Sequence, residues 1–314
     1  MLPLRRAARI VPLWLLTAGL TACERPKAAP PVDSIVVRRV DSTIAVPATV
    51  ADVSGWDASA GSVLFVSRPE RVGSAAVVFP ELSDSAMEAA TTFDTARVRA
   101  ARVDLFAPTG AAGTATVGAV SSQPENECSA WPTARLNGAV SPWTVGFTGG
   151  AAAPIVLDSA AALAPGDSAR LAATVARLAA GLPNDTSAGL RGVPFAVREM
   201  RRFSPVAGVE AIVATVVRKL NVEANPLAEE IVLIAERDSA APTTAFTTAY
   251  YSRSSATEEL VQTTDVLAAV RLGAVRTPTL VLSRLMDDGS FYSILQRAAP
   301  HRWRLRWTSA YTGC

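Results

Sequence analysis

The chain has 314 residues, of which 49% are hydrophobic and 18% are charged, with 21 prolines, 19 glycines and a formal net charge of +2. This balance excludes collagen, a coiled coil and general disorder, and it predicts a globular protein. A net charge this close to zero lacks the basic footprint of a nucleic-acid-binding protein, so we expect no nucleic-acid partner.

Residues 1–22 are typical of a secretory signal. A basic stretch precedes an apolar run over residues 10–20, and two small residues end the segment. The run is far shorter than the roughly 20 residues that cross a bilayer as a helix. The basic residues of the segment are Arg5, Arg6 and Arg9. Their removal leaves 27 basic and 28 acidic residues, so the mature chain carries a net charge of −1.

The string Leu20-Thr21-Ala22-Cys23 follows the apolar run directly. It resembles the lipobox of bacterial lipoproteins, in which the cysteine thiol receives a diacylglyceryl group and the signal is cleaved just before it. The resemblance implies that Cys23 is the acylated first residue and that its acyl chains hold the protein on a membrane. Residues 23–33 then form a proline-rich tether. The alternative is an ordinary cleaved signal followed by an unrelated cysteine.

Two cysteines remain once Cys23 is assigned, namely Cys128 and Cys314. In an oxidising envelope compartment they favour one disulfide, which on the chain-entropy model contributes about 4 to 5 kcal/mol. Metal ligation is the rival interpretation. Two cysteines and one distant histidine do not complete a structural zinc set, so we expect no metal centre and no cofactor.

Residues 34–159 form a predicted N-terminal β-rich region. Short β-branched runs alternate there with Gly, Pro, Ser and Asp, the pattern of strands joined by turns. Val103 and Leu105 alternate with Arg102 and Asp104, which is typical of a half-buried antiparallel strand. The predicted strands are 34–40, 62–67, 75–79, 97–106, 114–120, 143–147 and 155–157.

Residues 160–192 are predicted to be a helical connector. Apolar side chains recur there at spacings of four, three and four, which predicts an amphipathic helix near 167–181. These side chains are Leu171, Val175, Leu178 and Leu182. A helix packed over a sheet is the expected arrangement.

Residues 193–314 contain an internal similarity in which four predicted strands recur twice. The first set is 214–220, 230–237, 247–253 and 259–263; the second is 267–272, 279–284, 291–297 and 302–308. The period matches the size of one propeller blade, and two meanders in an open or sandwiched sheet fit equally well. We therefore expect a mainly β fold of antiparallel β-meanders, sandwich or propeller-like, with one amphipathic helix.

The second set of strands contains Asp287-Asp288-Gly289 and an aromatic-rich closing strand. In these features it resembles the FG-GAP or VCBS-type β-repeats of envelope and surface proteins. The calcium loop of those repeats is absent, because residues 272–276 have no acidic ligands. The resemblance therefore implies no bound calcium.

Catalytic motifs are missing from the sequence. His301 is the only histidine, in a predicted turn, and no nucleophile elbow, Ser-x-x-Lys pair or phosphate-binding glycine loop occurs. Paired acids are the remaining candidates for hydrolysis, and solvated strand ends or turns are their expected positions. The pairs are Glu229-Glu230, Glu258-Glu259 and Asp287-Asp288.

Three arginines alternate with apolar residues in the last predicted strand. The arginines are Arg302, Arg304 and Arg306, and the apolar residues are Trp303, Leu305 and Trp307. This alternation predicts one guanidinium face and one aromatic-aliphatic face. The guanidinium face is either an ordinary wet surface or a site for anionic lipid, lipopolysaccharide phosphate or an acidic partner. A second predicted strand carries Arg198, Arg201 and Arg202.

Three tryptophans lie near prolines or glycines. Two roles are open for them: they line a sugar-binding surface, or they are buried anchors of small sheets. They are Trp56, Trp131 and Trp143.

The sequence as a whole favours a membrane-anchored lipoprotein of the bacterial cell envelope, at the periplasmic face of a membrane or at the cell surface. We expect a non-enzymatic binding or assembly module with an envelope protein or glycan as partner. The alternatives are an envelope hydrolase that uses an unidentified Asp/Glu pair and an accessory subunit of a membrane complex.

Overall fold

A computed structural model describes residues 55–123, 130–139, 142–183, 188–221, 226–241, 243–286 and 288–313. The fold is mainly β, and every described strand pairing is antiparallel. The predicted strand at 34–40 and all three cysteines lie outside the described residues. No described helix is long and apolar enough to cross a membrane.

The first part of the described chain forms a closed barrel in the order β1-β2-β5-β4-β3-β6. Closure leaves no unpaired strand edge. Phe65, Leu105 and Phe147 fill its interior and are almost fully buried. The strands are β1 (Leu64–Ser67), β2 (Ser74–Val78), β3 (Arg102–Ala107), β4 (Gly110–Val120), β5 (Thr133–Asn137) and β6 (Val145–Thr148), and the short helix α1 (Asp84–Glu88) follows β2.

Two open sheets follow the barrel. The barrel-side sheet contains β7 (Ala152–Ile155), β13 (Thr263–Leu272), β14 (Thr277–Met286), β15 (Gly289–Ala299), β16 (Arg302–Thr308) and β17 (Thr312–Gly313). The helix-side sheet contains β8 (Asp158–Ser159), β9 (Ala196–Phe203), β10 (Val209–Leu220), β11 (Leu227–Asp238) and β12 (Thr247–Thr257).

The barrel-side sheet is buried on both faces. Val281 packs into the barrel core, whereas its neighbours Leu280 and Leu282 pack against Ile234 of the helix-side sheet. Strand β14 therefore has a continuous apolar run instead of the alternation of a sheet with one wet face. Full burial of each such side chain contributes about 1.5 to 3 kcal/mol.

Helix α2 (Pro165–Ala180) covers the other face of the helix-side sheet. Pro165 occupies the first turn, where its missing N–H costs no hydrogen bond. Val175 and Ala179 are fully buried against sheet residues that include Leu233. The predicted amphipathic helix is confirmed, and the layers run from barrel to barrel-side sheet, helix-side sheet and α2.

Three predicted strands of each set are present in the structure, and the fourth predicted strand of the second set is β16. Strands β10, β11 and β12 form a meander in the helix-side sheet, and β13, β14 and β15 form the matching meander in the barrel-side sheet. The two meanders pack face to face as a sandwich. The predicted strand at 259–263 is wrong, because residues 258–260 form a turn and β13 begins at Thr263.

Strand β3 begins later than predicted. Residues 96–98 form a turn of 3-10 helix, and Ala100 has a φ of +55°. A residue in the left-handed region interrupts an extended strand, so β3 starts at Arg102. Strand β5 was not predicted, because its short run of five residues includes three polar side chains.

Candidate functional site

Strand β16 forms one edge of the barrel-side sheet, since β15 is its only partner among the described strands. Arg302 and Arg304 are exposed, and Arg306 is half-buried. None of the three forms an ion pair with another described residue. The strand therefore presents guanidinium groups beside a backbone edge that no other described strand pairs.

A β-bulge in β16 changes which side of the sheet its later side chains face. Leu305 pairs with Leu295 and Trp307 pairs with Ile294, so Arg306 is an extra residue. Trp303 then packs inside the sandwich, whereas Trp307 packs into the barrel core. The predicted single aromatic-aliphatic face is wrong, because the bulge turns the second tryptophan to the opposite side of the sheet.

The second arginine set is engaged in ion pairs. Arg198 pairs with Asp265 at 3.1 Å, and Arg201 pairs with Glu199 at 2.6 Å. The third member, Arg202, lies 3.7 Å from Glu210. This set differs from the arginines of β16, whose charges are uncompensated by described residues.

Glu236 is the most completely hydrogen-bonded buried acid among the described residues, and sequence reasoning missed it. Its carboxylate accepts hydrogen bonds from Arg297 at 2.7 and 2.9 Å. It also accepts from the Trp303 indole at 2.6 Å and from the His301 backbone N–H at 2.9 Å. Burial raises its pKa, but these hydrogen bonds outweigh burial, so the pKa is lower than usual. Glu236 is therefore an ionised structural residue.

His301 lies in the turn between β15 and β16, as predicted, and its side chain is exposed. Its φ of +53° places the backbone in the left-handed region, and its N–H points to Glu236. The left-handed conformation therefore serves a structural hydrogen bond of the backbone.

The Glu229-Glu230 pair lies near the start of β11 and is buried, so its predicted solvated position is wrong. The two side chains point to opposite faces of β11. On the helix side, Glu229 accepts a hydrogen bond from Arg218 at 2.5 Å, and Arg253 lies 3.4 Å away. Arg218 also donates to the Leu190 carbonyl at 3.0 Å. The two acids face different layers and do not act on one substrate.

Glu230 lies between the two sheets, where it accepts a hydrogen bond from the Thr264 backbone N–H at 2.6 Å. Burial raises its pKa to about 7, although Arg198, 3.4 Å away, lowers it. Of the other acid pairs, Glu258 and Glu259 are exposed in the turn after β12. Asp288 is exposed as well, and Asp287 lies outside the described residues.

A cleft with a volume of about 410 Å³ lies between the barrel and the barrel-side sheet. Polar, aromatic and small residues line it; they include Arg68, Glu70, Trp131, Asp288, Tyr292 and Gly313. The three tryptophans proposed for a sugar surface do not meet here. Trp56 packs edge-on against Trp307, and Trp143 is buried in the barrel cluster, so only Trp131 lines the cleft.

Comparison of the chain with protein-family models, with curated proteins and with solved structures finds no match.

Proposed function

We propose that this protein is a lipid-anchored binding module of the bacterial envelope that holds an acidic partner through the arginines of β16. One observation carries the proposal: Arg302 and Arg304 are exposed on an edge strand and have no ion pair with any described residue. A guanidinium group binds carboxylate or phosphate oxygens through two parallel hydrogen bonds. Alternate residues of a strand lie about 7 Å apart, a spacing at which two arginines engage neighbouring acidic groups.

The rest of β16 supports this role because it fixes the strand. The indole of Trp303 donates to Glu236, and the indole of Trp307 donates to the Pro80 carbonyl at 2.9 Å. Each tryptophan anchors the strand in a different core. The arginines therefore project from a rigid backbone, and binding does not require ordering of the strand.

The anchor and the disulfide are parts of the same proposal. Acylation at Cys23 and a tether over residues 23–33 hold the module at the membrane surface. Ala130 and Gly313 both line the cleft, and they are the described residues nearest in sequence to Cys128 and Cys314, respectively. This proximity supports a disulfide that ties the C-terminus to the barrel.

Charge reversal tests the arginine site. We expect Arg302→Glu/Arg304→Glu to reduce recovery of the crosslinked complex from cells by at least about tenfold, because two charge-assisted hydrogen-bonding groups become repulsive. The matched control is Arg99→Glu/Arg135→Glu, which makes the same charge change at two exposed arginines of the barrel region. Equal recovery from both double variants would refute the site.

A further inference from the structure

The outer edge of β16 offers backbone hydrogen-bonding groups as well as charge. Strand β15 pairs with one side of β16, and no described strand pairs with the other side. Beyond the ladder with β15, no backbone group of residues 302–308 forms a hydrogen bond with a described residue. A strand edge of this kind is a template for the addition of one more strand.

The long edge strand of the helix-side sheet lacks this combination. Strand β12 has β11 as its partner on one side and no described strand on the other. Its one charged residue is Arg253, which lies 3.4 Å from the buried Glu229. The exposed Arg302 and Arg304 of β16 have no such acid among the described residues. An acidic segment is therefore directed to the edge of β16 and not to that of β12.

The alternation of β16 sets the side-chain pattern of a strand that pairs with it. Trp303 packs inside the sandwich, and the half-buried Leu305 packs against the same cluster. Arg302 and Arg304 therefore share the opposite face. The bulge at Arg306 interrupts the alternation, so the regular part of the edge covers residues 302–305.

We propose that the acidic partner docks as a short extended segment that adds one strand to the edge of β16. Acidic side chains at two alternate positions lie opposite Arg302 and Arg304, and apolar side chains lie opposite Trp303 and Leu305. Main-chain hydrogen bonds give affinity in such an arrangement, and the alternate side chains give specificity. Opposite charges directly across a strand pair attract each other.

An anionic lipid headgroup would engage the guanidinium groups alone and would leave the backbone edge without a partner. An extended acidic segment uses both features of β16, and for this reason we favour it. The inference rests on the proposed function, because it names the form in which the acidic partner reaches the same arginines.

The test uses the mature acylated protein in a zwitterionic detergent and three capped, fluorescein-labelled pentapeptides of equal charge. The first, Val-Glu-Val-Glu-Val, places both acids on one face in either strand direction. The second, Val-Glu-Glu-Val-Val, places them on opposite faces. The third has the first sequence with its three central residues N-methylated, which removes backbone donors and keeps the charges.

Fluorescence anisotropy measures the affinity of each peptide. We expect the first peptide to bind at least about tenfold more tightly than either of the other two. We also expect Arg302→Glu/Arg304→Glu to weaken the first peptide at least about tenfold, because the paired charges become repulsive. The control Arg99→Glu/Arg135→Glu, at two exposed arginines of the barrel region, is expected to bind this peptide as the wild type does.

Equal affinity for the three peptides, or no binding of the first, overturns strand addition. Neither result decides whether the arginines hold an acidic partner, because that proposal has its own test in the recovery of the crosslinked complex from cells. A complex that is lost on charge reversal, together with equal peptide affinities, would show that charge alone holds the partner.

Discussion

Glu236 and Arg297 join the two sheets of the sandwich through two parallel hydrogen bonds of 2.7 and 2.9 Å. The acid lies on β11 and the base on β15, and the carboxylate side chain is fully buried. Trp303 and His301 add two further donors to the same carboxylate. A buried charge is tolerated where its hydrogen-bonding capacity is satisfied in this way.

Loss of the Glu236 charge is therefore expected to destabilise the fold strongly. Glu236→Gln leaves Arg297 as a buried, uncompensated cation, so we predict a decrease of about 3 to 5 kcal/mol in the free energy of unfolding. Urea unfolding followed by circular dichroism measures the change. The control is Glu258→Gln, which breaks the exposed pair with Lys219 and is expected to cost at most about 1 kcal/mol. Equal costs for the two variants would contradict the structural role of Glu236.

Glu230 makes the folded state more stable at low pH than at neutral pH. Burial raises its pKa to about 7 from the ordinary 4.5; Arg198 and the Thr264 N–H lower it, and Asp265 raises it further. The folded chain thus binds this proton more tightly than the unfolded chain. The stability that comes from the protonated Glu230 side chain is complete below about pH 4.5 and is lost as the pH rises to about 7.

Glu230→Gln removes this dependence, because the amide oxygen still accepts from Thr264 but does not ionise. We expect the stability of the variant relative to wild type to rise between about pH 4.5 and pH 7 by at most about 3 kcal/mol. Urea unfolding at several pH values measures the difference. The lowered pKa of Glu236 acts at lower pH, where stability is lost as that carboxylate protonates. Parallel pH profiles for variant and wild type would exclude the assigned role of Glu230.

Gly146 lies in the barrel interior, where neighbouring side chains leave no room for a Cβ atom. A Cβ at this position would lie 2.6 Å from Val103 Cγ1 and 3.1 Å from Leu105 Cδ2. Gly146→Ala is expected to cost about 1 to 3 kcal/mol through overpacking. In contrast, Gly166→Ala in the first turn of α2 meets no atom closer than 3.8 Å and is expected to stabilise by about 0.5 to 1 kcal/mol. A stabilising Gly146→Ala, measured by thermal unfolding, would contradict the described packing.

The disulfide between Cys128 and Cys314 is expected to appear in peptide mapping without reduction. Cys128→Ser is predicted to lower the free energy of unfolding by about 2 to 5 kcal/mol. Cys23→Ser, which removes the acylation site, is expected to leave the crosslinked peptide intact. Alkylation of both Cys128 and Cys314 in the unreduced protein would show that the bond does not form.

Local patterns predicted the helix and many of the strands, because periodicity reports burial. The predicted strand at 155–157 is wrong, since β7 ends at Ile155. The amphipathic helix and six strands of the two matching meanders follow from such patterns. Ion pairs across the sandwich cannot be predicted from local patterns. Glu236 and Arg297 are 61 positions apart, and their pairing depends on how the two sheets align. The opposite orientations of Trp303 and Trp307 depend on one bulged residue, which simple alternation does not reveal.

The cleft also lay beyond the sequence patterns. Its walls come from five segments spread between Ser67 and Gly313, and among Trp56, Trp131 and Trp143 only Trp131 lines it. The Trp131 indole N–H has no acceptor among the described residues, which is visible only once the neighbours of the side chain are known.

Photo-crosslinking in cells tests the binding role of β16 most directly. A benzoyl-phenylalanine at Ala298, an exposed position near Arg302, leaves all three arginines in place, and Ala119 on barrel strand β4 provides the exposed control. We predict that position 298 captures one dominant acidic partner, that position 119 does not, and that Cys23→Ser abolishes the capture. Absence of a partner at position 298, or the same capture from both positions, would contradict the account.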